Sequence, residues 1–404
     1  MPSAAELETT LVRHVLEPWF PRCIDAEHGG FLCDFDRKWQ PSGPHDKFLE
    51  FQARQTWLAA LLARQYPEDA GLREATRHGL RCLRETMWDP AYGGWFHRAD
   101  RAGVARNEGR KHAHGTAYAI AACAEASATL GDRSALELAW AGFDWLDTHA
   151  RDREHGGYFG LLARDGSIIR DPASYSRPKD PIGTPIGLKD ANVHSDLLET
   201  LTVLVSMEST EPERTRLAEL AFILGERLSS PDGTLTYYCW PDWTPLPGMR
   251  FGGQFQAAHR LVTAGGLLGT AVNDRPAQLL RRGIELSWDR RHGGFVAADS
   301  GDRPQRREWW IVAECLRALF TLVPLAGGDD DRHRVVDRVW SYLRRRILDE
   351  RYRGLYREDL QGLDFAPDRA AAKGGIWKDG WHEGKALLVG IAASAGAPNS
   401  ADGT

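Results

Sequence analysis

A short signature recurs along the chain: an Asp, three residues, two small residues and an aromatic or apolar one. It stands at Asp25…Gly29-Gly30-Phe31, Asp89…Gly93-Gly94-Trp95, Asp152…Gly156-Gly157-Tyr158 and Asp289…Gly293-Gly294-Phe295. A worn copy lies at Asp349…Arg353-Gly354-Leu355, and a weaker one at Pro231-Asp232-Gly233. Steps of 64, 63, 77, 60 and 61 residues separate Gly29, Gly93, Gly156, Gly233, Gly293 and Gly354. A fixed period over most of a chain means stacked copies of one supersecondary unit. The sequence between copies reads as helix, and about 60 residues is the length of two helices with their turns. Six helical hairpins in succession predict an all-α closed ring, an (α/α)6 barrel. The loops at one end of such a ring border one central cavity, which points to an enzyme or binder of small molecules.

The repeat runs without a linker, so we expect one domain over residues 1–395 and a disordered tail over 396–404. Of the 404 residues, 42% are hydrophobic and 26% charged, ordinary for a globular protein, and the net charge of −5 gives no reason to expect nucleic acid or an anionic membrane as partner. No apolar run reaches transmembrane length, no signal-peptide core follows Met1, and the six scattered cysteines lack CxxC spacing. These features suggest reduced thiols, a cytoplasmic location and a monomer or homodimer. Fifteen tryptophans are the one excess. Most should fill a wide helical core, and the rest would suit the C–H faces of sugars.

Apolar periodicity predicts helices at 7–17, 48–64, 116–130, 136–148, 194–207, 212–228, 255–268, 276–286, 308–323, 333–348 and 380–393. The glycine pairs read as structural turns with φ > 0. One long connection, residues 160–191, breaks the rhythm and ends on Asn192-Val193-His194; we read it as a lid or cavity rim.

Four places could carry chemistry. Arg54 sits in an apolar helix and needs a partner or a polar cavity. Asn192, His194 and Glu199 open another helix, where the plainer reading of Asn192 is an N-cap. Glu308-Trp309-Trp310 begins a helix running through Glu314; adjacent residues are turned by about 100°, so one tryptophan should face the cavity. The densest polar–aromatic cluster is Trp377-Lys378-Asp379-Gly380-Trp381-His382-Glu383. His382 there brings an imidazole, the side-chain type that suits proton transfer to or from carbon or oxygen. No metal pattern survives: His112 and His114 have no third ligand at useful spacing, and neither a P-loop, a Rossmann glycine triplet nor GxSxG is present, so no cofactor is expected.

These residues, taken in order over nearly the whole chain, resemble the N-acylglucosamine 2-epimerase family, which includes cellobiose 2-epimerases and mannose isomerases. The likeness rests on Gly29-Gly30-Phe31 with Gln52-Ala53-Arg54, Asn192-x-His194 with Glu199, Trp309-Trp310 with Glu314, and Trp377-Lys378…Trp381-His382. It implies the (α/α)6 barrel independently of the repeat. It also implies cofactor-free proton transfer at the carbon beside a sugar carbonyl, through a cis-enediolate, giving C2 epimerisation or aldose–ketose isomerisation. By this resemblance His382 is one of the family's two acid/base histidines, and His194 contacts the sugar oxygens. Arg54 contacts the sugar as well and holds the enediolate charge, and Trp309 or Trp310 walls the sugar subsite. We expect Asn192, Arg250, Gln254 and Trp381 to join the same substrate-binding cavity.

One departure matters. The family's other histidine lies in a Gly-His-x-x-Glu motif, and here its place falls on Gly253 or Gln254 and the glutamate's on Gln256 or Ala257. None of these titrates near neutrality. His259 lies further along, on a different helix face, and the second histidine of the Asn-x-His-x-His run is Asp196. Three readings follow. The first is an isomerase or epimerase using His382 with His194. The second is the same barrel repurposed for hydrolysis, elimination or natural-product modification, with Asp196, Glu308 or Glu383 beside His382. The third is a catalytically inactive sugar binder.

Overall fold

Each aspartate of the repeat builds a tight turn from its own side chain. Asp25 accepts the backbone N–H groups of Glu27 and His28, while Gly29 N–H donates to the Asp25 carbonyl and Asp25 N–H to that of Gly30. Gly29 and Gly30 have φ of 73° and 66°, a left-handed conformation that a side chain would strain. Phe31 then pairs with Ile24 in a short bridge, and the same bridge recurs as Trp88–Trp95, Arg151–Tyr158, Trp288–Phe295 and Leu348–Leu355. In the worn copy Arg353 itself takes a φ of 61°. The copy at Asp232 keeps only the single glycine, Gly233, with φ of 84°.

These turns link the helices of a barrel. The computed structural model describes residues 1–270, 274–298, 306–322, 330–361 and 367–395; the expected tail, residues 396–404, lies outside them. Six outer helices are α1 (Ala4–Leu11), α3 (Ala70–Arg81), α5 (Arg133–His149), α7 (Glu211–Phe222), α9 (Arg275–Ser287) and α11 (Asp330–Tyr342). Six inner helices are α2 (Leu49–Gln65), α4 (Ala113–Leu130), α6 (Ala191–Met207), α8 (Gly252–Leu268), α10 (Trp309–Leu322) and α12 (Trp381–Ala395). Each inner helix packs on the next, and α12 returns to α2, so the ring closes as the (α/α)6 barrel. No helix among the described residues is long and apolar enough to cross a membrane. The six cysteines are buried and free.

Helix α3 was not expected from the sequence, although its pattern is clear in retrospect. Leu72, Ala75, Thr76, Gly79 and Leu80 share the buried face, and Asp69 caps its first turn. Gly71 and Gly79 lower its intrinsic propensity, and tertiary packing overrides them. Gly79 is required there, since a Cβ would stand 2.2 Å from Thr56 Oγ1. Several outer helices, α1, α3, α7 and α11, end in a wide i→i+5 turn just before the loop that leads inward.

A second repeat, not recognised in the sequence, pins these loops. Short antiparallel strands precede three inner helices: β1 (Lys47–Phe48) pairs with β2 (Arg98–Ala99), β3 (Lys111–His112) with β4 (Leu161–Leu162), and β5 (Lys189–Asp190) with β6 (Tyr238–Cys239), which also pairs β7 (Pro245–Leu246). The lysine opening β1, β3 and β5 turns back into the loop. Lys47 Nζ donates to Gly29 O at 2.6 Å, Lys111 binds the Gly93 carbonyl, and Lys189 reaches Gly156 O and Asp152 at 2.6 and 2.7 Å. Lys373 makes the same contact with Asp349 at 3.0 Å, and Arg307 stands in for lysine at Asp289, 2.8 Å away.

An arginine twelve positions after a loop aspartate reaches back to the aspartate of the preceding loop. Arg101 binds Asp25 and Arg164 binds Asp89, both at 2.9 Å. Arg37 binds Asp349 at 3.1 Å and so fastens the first loop to the last. The Lys111–Asp89 pair, 3.3 Å apart, is wholly buried. Uncovering one member of a buried pair costs several kcal/mol, so Lys111→Met should destabilise by about 3 kcal/mol, the low end because Arg164 still serves Asp89. Arg281→Met on the exposed face of α9 should stay within about 0.5 kcal/mol. Thermal and urea unfolding of the two variants checks the contrast.

Candidate active site

Because every loop of this kind leads into an inner helix, the N-terminal ends of the inner helices meet at one end of the barrel. There they surround a cavity of about 340 Å³. Every inner helix contributes a side chain from its first two turns: Arg54 from α2, His114 from α4, Asn192 from α6, Gln256 from α8, Trp309 and Trp310 from α10, and His382 from α12. Helix N-termini carry partial positive charge, so six of them favour negative charge in the space between. Arg250, Tyr237, Glu308, Arg357 and Trp377 come from the connecting loops, as do residues 180–183. The long connection is therefore a rim. Asp180 holds it, accepting the N–H groups of Ile182, Gly183 and Thr184 through one oxygen and His112 Nε2 through the other, 2.9 Å away.

His382 is the best-positioned titratable group. Its Nδ1 lies 2.6 Å from Glu314 Oε1, and the ring packs against Trp309, Trp310 and Trp381. Glu314 is buried. Desolvation alone would raise its pKa, but hydrogen bonds from His259 and His382 hold it well below the usual carboxylate range. A carboxylate in that state accepts, so Nδ1 carries the hydrogen, and in the neutral ring the lone pair lies on Nε2. No described residue hydrogen-bonds that Nε2.

His259 takes the other oxygen of Glu314, at 2.8 Å. It does not line the cavity. Burial, with the nearby Arg317, lowers its pKa to about 4, which leaves it a neutral donor behind the carboxylate. Beneath this layer Glu199 binds Arg260 at 2.9 Å, Arg317 at 2.5 Å and Lys385 at 2.7 Å. Charged groups thus fill the barrel axis where an apolar core would otherwise stand.

Arg54 is held with little polar support. Its guanidinium carbon lies 4.1 Å from the Tyr118 ring centroid, and Asp379 is 3.6 Å away. Its buried Nε has no hydrogen-bond partner among the described residues. This is a cation whose remaining donor capacity is open.

Three of the expected site residues do not line the cavity. His194 was placed on the sugar by resemblance, yet its Nδ1 bonds the Asp190 carbonyl at 2.7 Å and its Nε2 accepts Tyr158 N–H at 3.0 Å. Burial lowers its pKa to about 4, and Trp243 covers the ring. It fastens α6 to the third repeat loop. Gln254 turns away to donate to Gly233 O and Leu279 O, at 3.1 and 3.2 Å. Trp381 is buried behind the wall, between Trp57, Tyr118 and His382. The expectation of one cavity-facing tryptophan also changes: both Trp309 and Trp310 border it. Their indole N–H groups are drawn apart, to Glu383 at 2.9 Å and Glu308 at 2.5 Å.

His114 escaped the sequence reading because it was weighed only as a metal ligand. It stands between two buried carboxylates, Glu50 and Asp196, each 2.9 Å from a ring nitrogen. Burial would lower its pKa, but Asp196 and Glu50 outweigh it and raise it to about 9. The imidazolium therefore persists at neutral pH. A folded pKa above the ordinary 6.5 contributes stability that is full below about pH 6.5 and is lost as pH rises through about 9. His114→Gln should remove that part of the stability–pH slope in unfolding measured between pH 6 and 10.

Residues 29–158 match the family model for N-acylglucosamine 2-epimerase (GlcNAc 2-epimerase). The cellobiose 2-epimerase of Bacteroides fragilis is 23% identical over 396 residues, covering 95% of this chain and 97% of that one. The solved cellobiose 2-epimerase of Spirochaeta thermophila superposes with a TM-score of 0.84 at 25% identity, covering 97% of this chain and 96% of that one. A D-mannose isomerase structure shares the fold with a TM-score of 0.81 at 20% identity, over 96% of this chain and 97% of its own. The chain is thus similar over its full length to cellobiose 2-epimerases on one barrel, and residues 29–158 carry the match to the N-acylglucosamine 2-epimerase family model.

Proposed function

We propose that this protein is an aldose–ketose isomerase that moves a proton between C2 and C1 of an open-chain sugar, with His382 as the base. The observation that carries this reading is the His382–Glu314 contact of 2.6 Å at the cavity wall. It turns the Nε2 lone pair into the one imidazole base in the cavity without a protein partner among the described residues. His382 removes the C2 proton, and Glu314 stabilises the imidazolium that forms. Arg54, the His114 imidazolium and the ring of helix N-termini oppose the negative charge that develops on the enediolate oxygens. Trp309 and Trp310 offer flat faces to the sugar's C–H surface.

Isomerisation is favoured over epimerisation by a count of bases. One base on one face of a cis-enediolate can return the proton to C1, whereas inversion at C2 needs a second group on the opposite face. Each other imidazole near the site is committed: His114 to two carboxylates, His259 to Glu314, His194 to backbone. The mannose isomerase among the structural neighbours makes D-mannose and D-fructose the first pair to try.

The test is to incubate the protein with D-mannose, D-glucose, D-fructose, cellobiose and N-acetylmannosamine in D₂O and follow C1–H and C2–H by NMR. Aldose–ketose conversion with exchange supports the proposal, and an aldose deuterated at C2 should pass part of its label to C1. Epimer without ketose would instead assign a second base, and the absence of exchange with every sugar would sink the reading. His382→Ala should lower kcat by about 10²–10⁴-fold, the usual contribution of a positioned acid–base group, with the melting curve unchanged. Glu314→Gln frees the tautomer of His382 and should lower kcat while sparing KM.

A further inference from the structure

The start of α8 holds a glycine whose missing side chain is accounted for by a neighbour. Gln256 lines the cavity and Gln254 points away, so Gly253, three residues before Gln256, shares the cavity-facing side of this first turn. A Cβ on Gly253 would stand 3.5 Å from Tyr237 Cε2 and 3.5 Å from Leu235 Cδ2, ordinary contact distances. The space beyond that Cβ is bordered by Leu235 and the Tyr237 ring. Tyr237 is 4% exposed and lines the cavity. Its position is fixed at both ends: its backbone carbonyl accepts Ala191 N–H at 2.9 Å at the start of α6, and the Arg250 guanidinium lies 5.1 Å from its ring centroid. A phenol beside a guanidinium can give up a proton and keep the resulting charge compensated.

We propose that the Tyr237 hydroxyl is the second proton-transfer group of this site, carrying the oxygen-bound proton between O1 and O2 of the sugar while His382 carries the carbon-bound one. The inference rests on the isomerase reading above. As His382 takes the C2 proton, the C2–H electron pair forms the C1–C2 double bond, the carbonyl π pair moves onto O1, and Tyr237 gives O1 its proton. The phenolate left beside Arg250 then takes the proton from O2. The O2 lone pair forms the ketone, the C1–C2 π pair takes the proton from His382, and both groups return to their starting states. No co-reactant is needed. Burial pushes the Tyr237 phenol up while the Arg250 charge works against it, so the group enters the cycle protonated, as the first step requires.

Tyr237→Phe keeps the ring that packs over Gly253 and removes only the hydroxyl. We expect kcat for D-mannose–D-fructose interconversion to fall by about 10²-fold or more, with KM within about threefold and the melting curve unchanged. Incorporating 3-fluorotyrosine at position 237, which restores a hydroxyl, should recover most of the lost rate. If Tyr237→Phe keeps kcat within about threefold of the parent while His382→Ala is inactive, the tyrosine proposal falls and the isomerase reading stands. Failure of 3-fluorotyrosine to restore turnover would likewise overturn the proposal, since the loss would then lie in packing. Turnover of none of the five sugars by the parent protein overturns the isomerase reading and this proposal with it.

Discussion

The buried aspartate of the repeat loop is the contact on which the barrel depends. In an isolated hairpin it would only close a turn. Here it also receives a lysine or arginine from its own connection to the inner helix and, in three loops, an arginine from the next. The first contact, made in five of the six loops, fixes where those inner helices begin, and the second fixes the angular step between neighbouring hairpins. Arg37 on Asp349 joins the last step to the first. A ring built this way has little freedom to shift one helix along its axis without uncovering a buried charge.

That constraint matters because the chemistry sits on the first turns of the inner helices. A slip of one residue would rotate His382 by about 100° about α12 and take it off Glu314. Beneath the cavity the six helices are locked by charged side chains in place of an apolar plug. Glu199 gathers Arg260, Arg317 and Lys385, and Asp196 lies 2.7 Å from Arg260 and 2.9 Å from His114. Buried ion pairs seldom add net stability, because desolvation offsets their attraction. What this network supplies is orientation: each group has partners on other helices, so the wall of the cavity is set by the barrel as a whole.

The same network sets which groups stay open at the cavity wall. With no histidine at Gly253 or Gln254, one imidazole base remains open to the cavity, and its carboxylate partner is shared with His259 on the neighbouring helix. Leu235 and Tyr237 border the space that a side chain at Gly253 would enter. Asp196, Gly253, Gln256 and His259 therefore belong to one arrangement of side chains around His382 and Glu314.

Much of the architecture was legible in the sequence because the repeat is local. An aspartate four residues before a glycine pair makes its own turn, and helical periodicity between turns needs no long-range knowledge. Arg54, Asn192, Arg250, Trp309, Trp310 and His382 could be picked out as polar or aromatic residues at helix starts and loop ends, where the ring brings them together. The failures have one physical cause. A side chain's direction within a turn depends on partners far away in sequence. His194 was captured by the backbone of Asp190 and Tyr158, Gln254 by the carbonyls of Gly233 and Leu279, and His114 was charged by Glu50 and Asp196. The chain's own pattern determined that six hairpins close around a cavity at the inner helix starts. Which imidazole keeps a free nitrogen there was decided only when the ring closed, because that depends on carboxylates supplied by neighbouring helices.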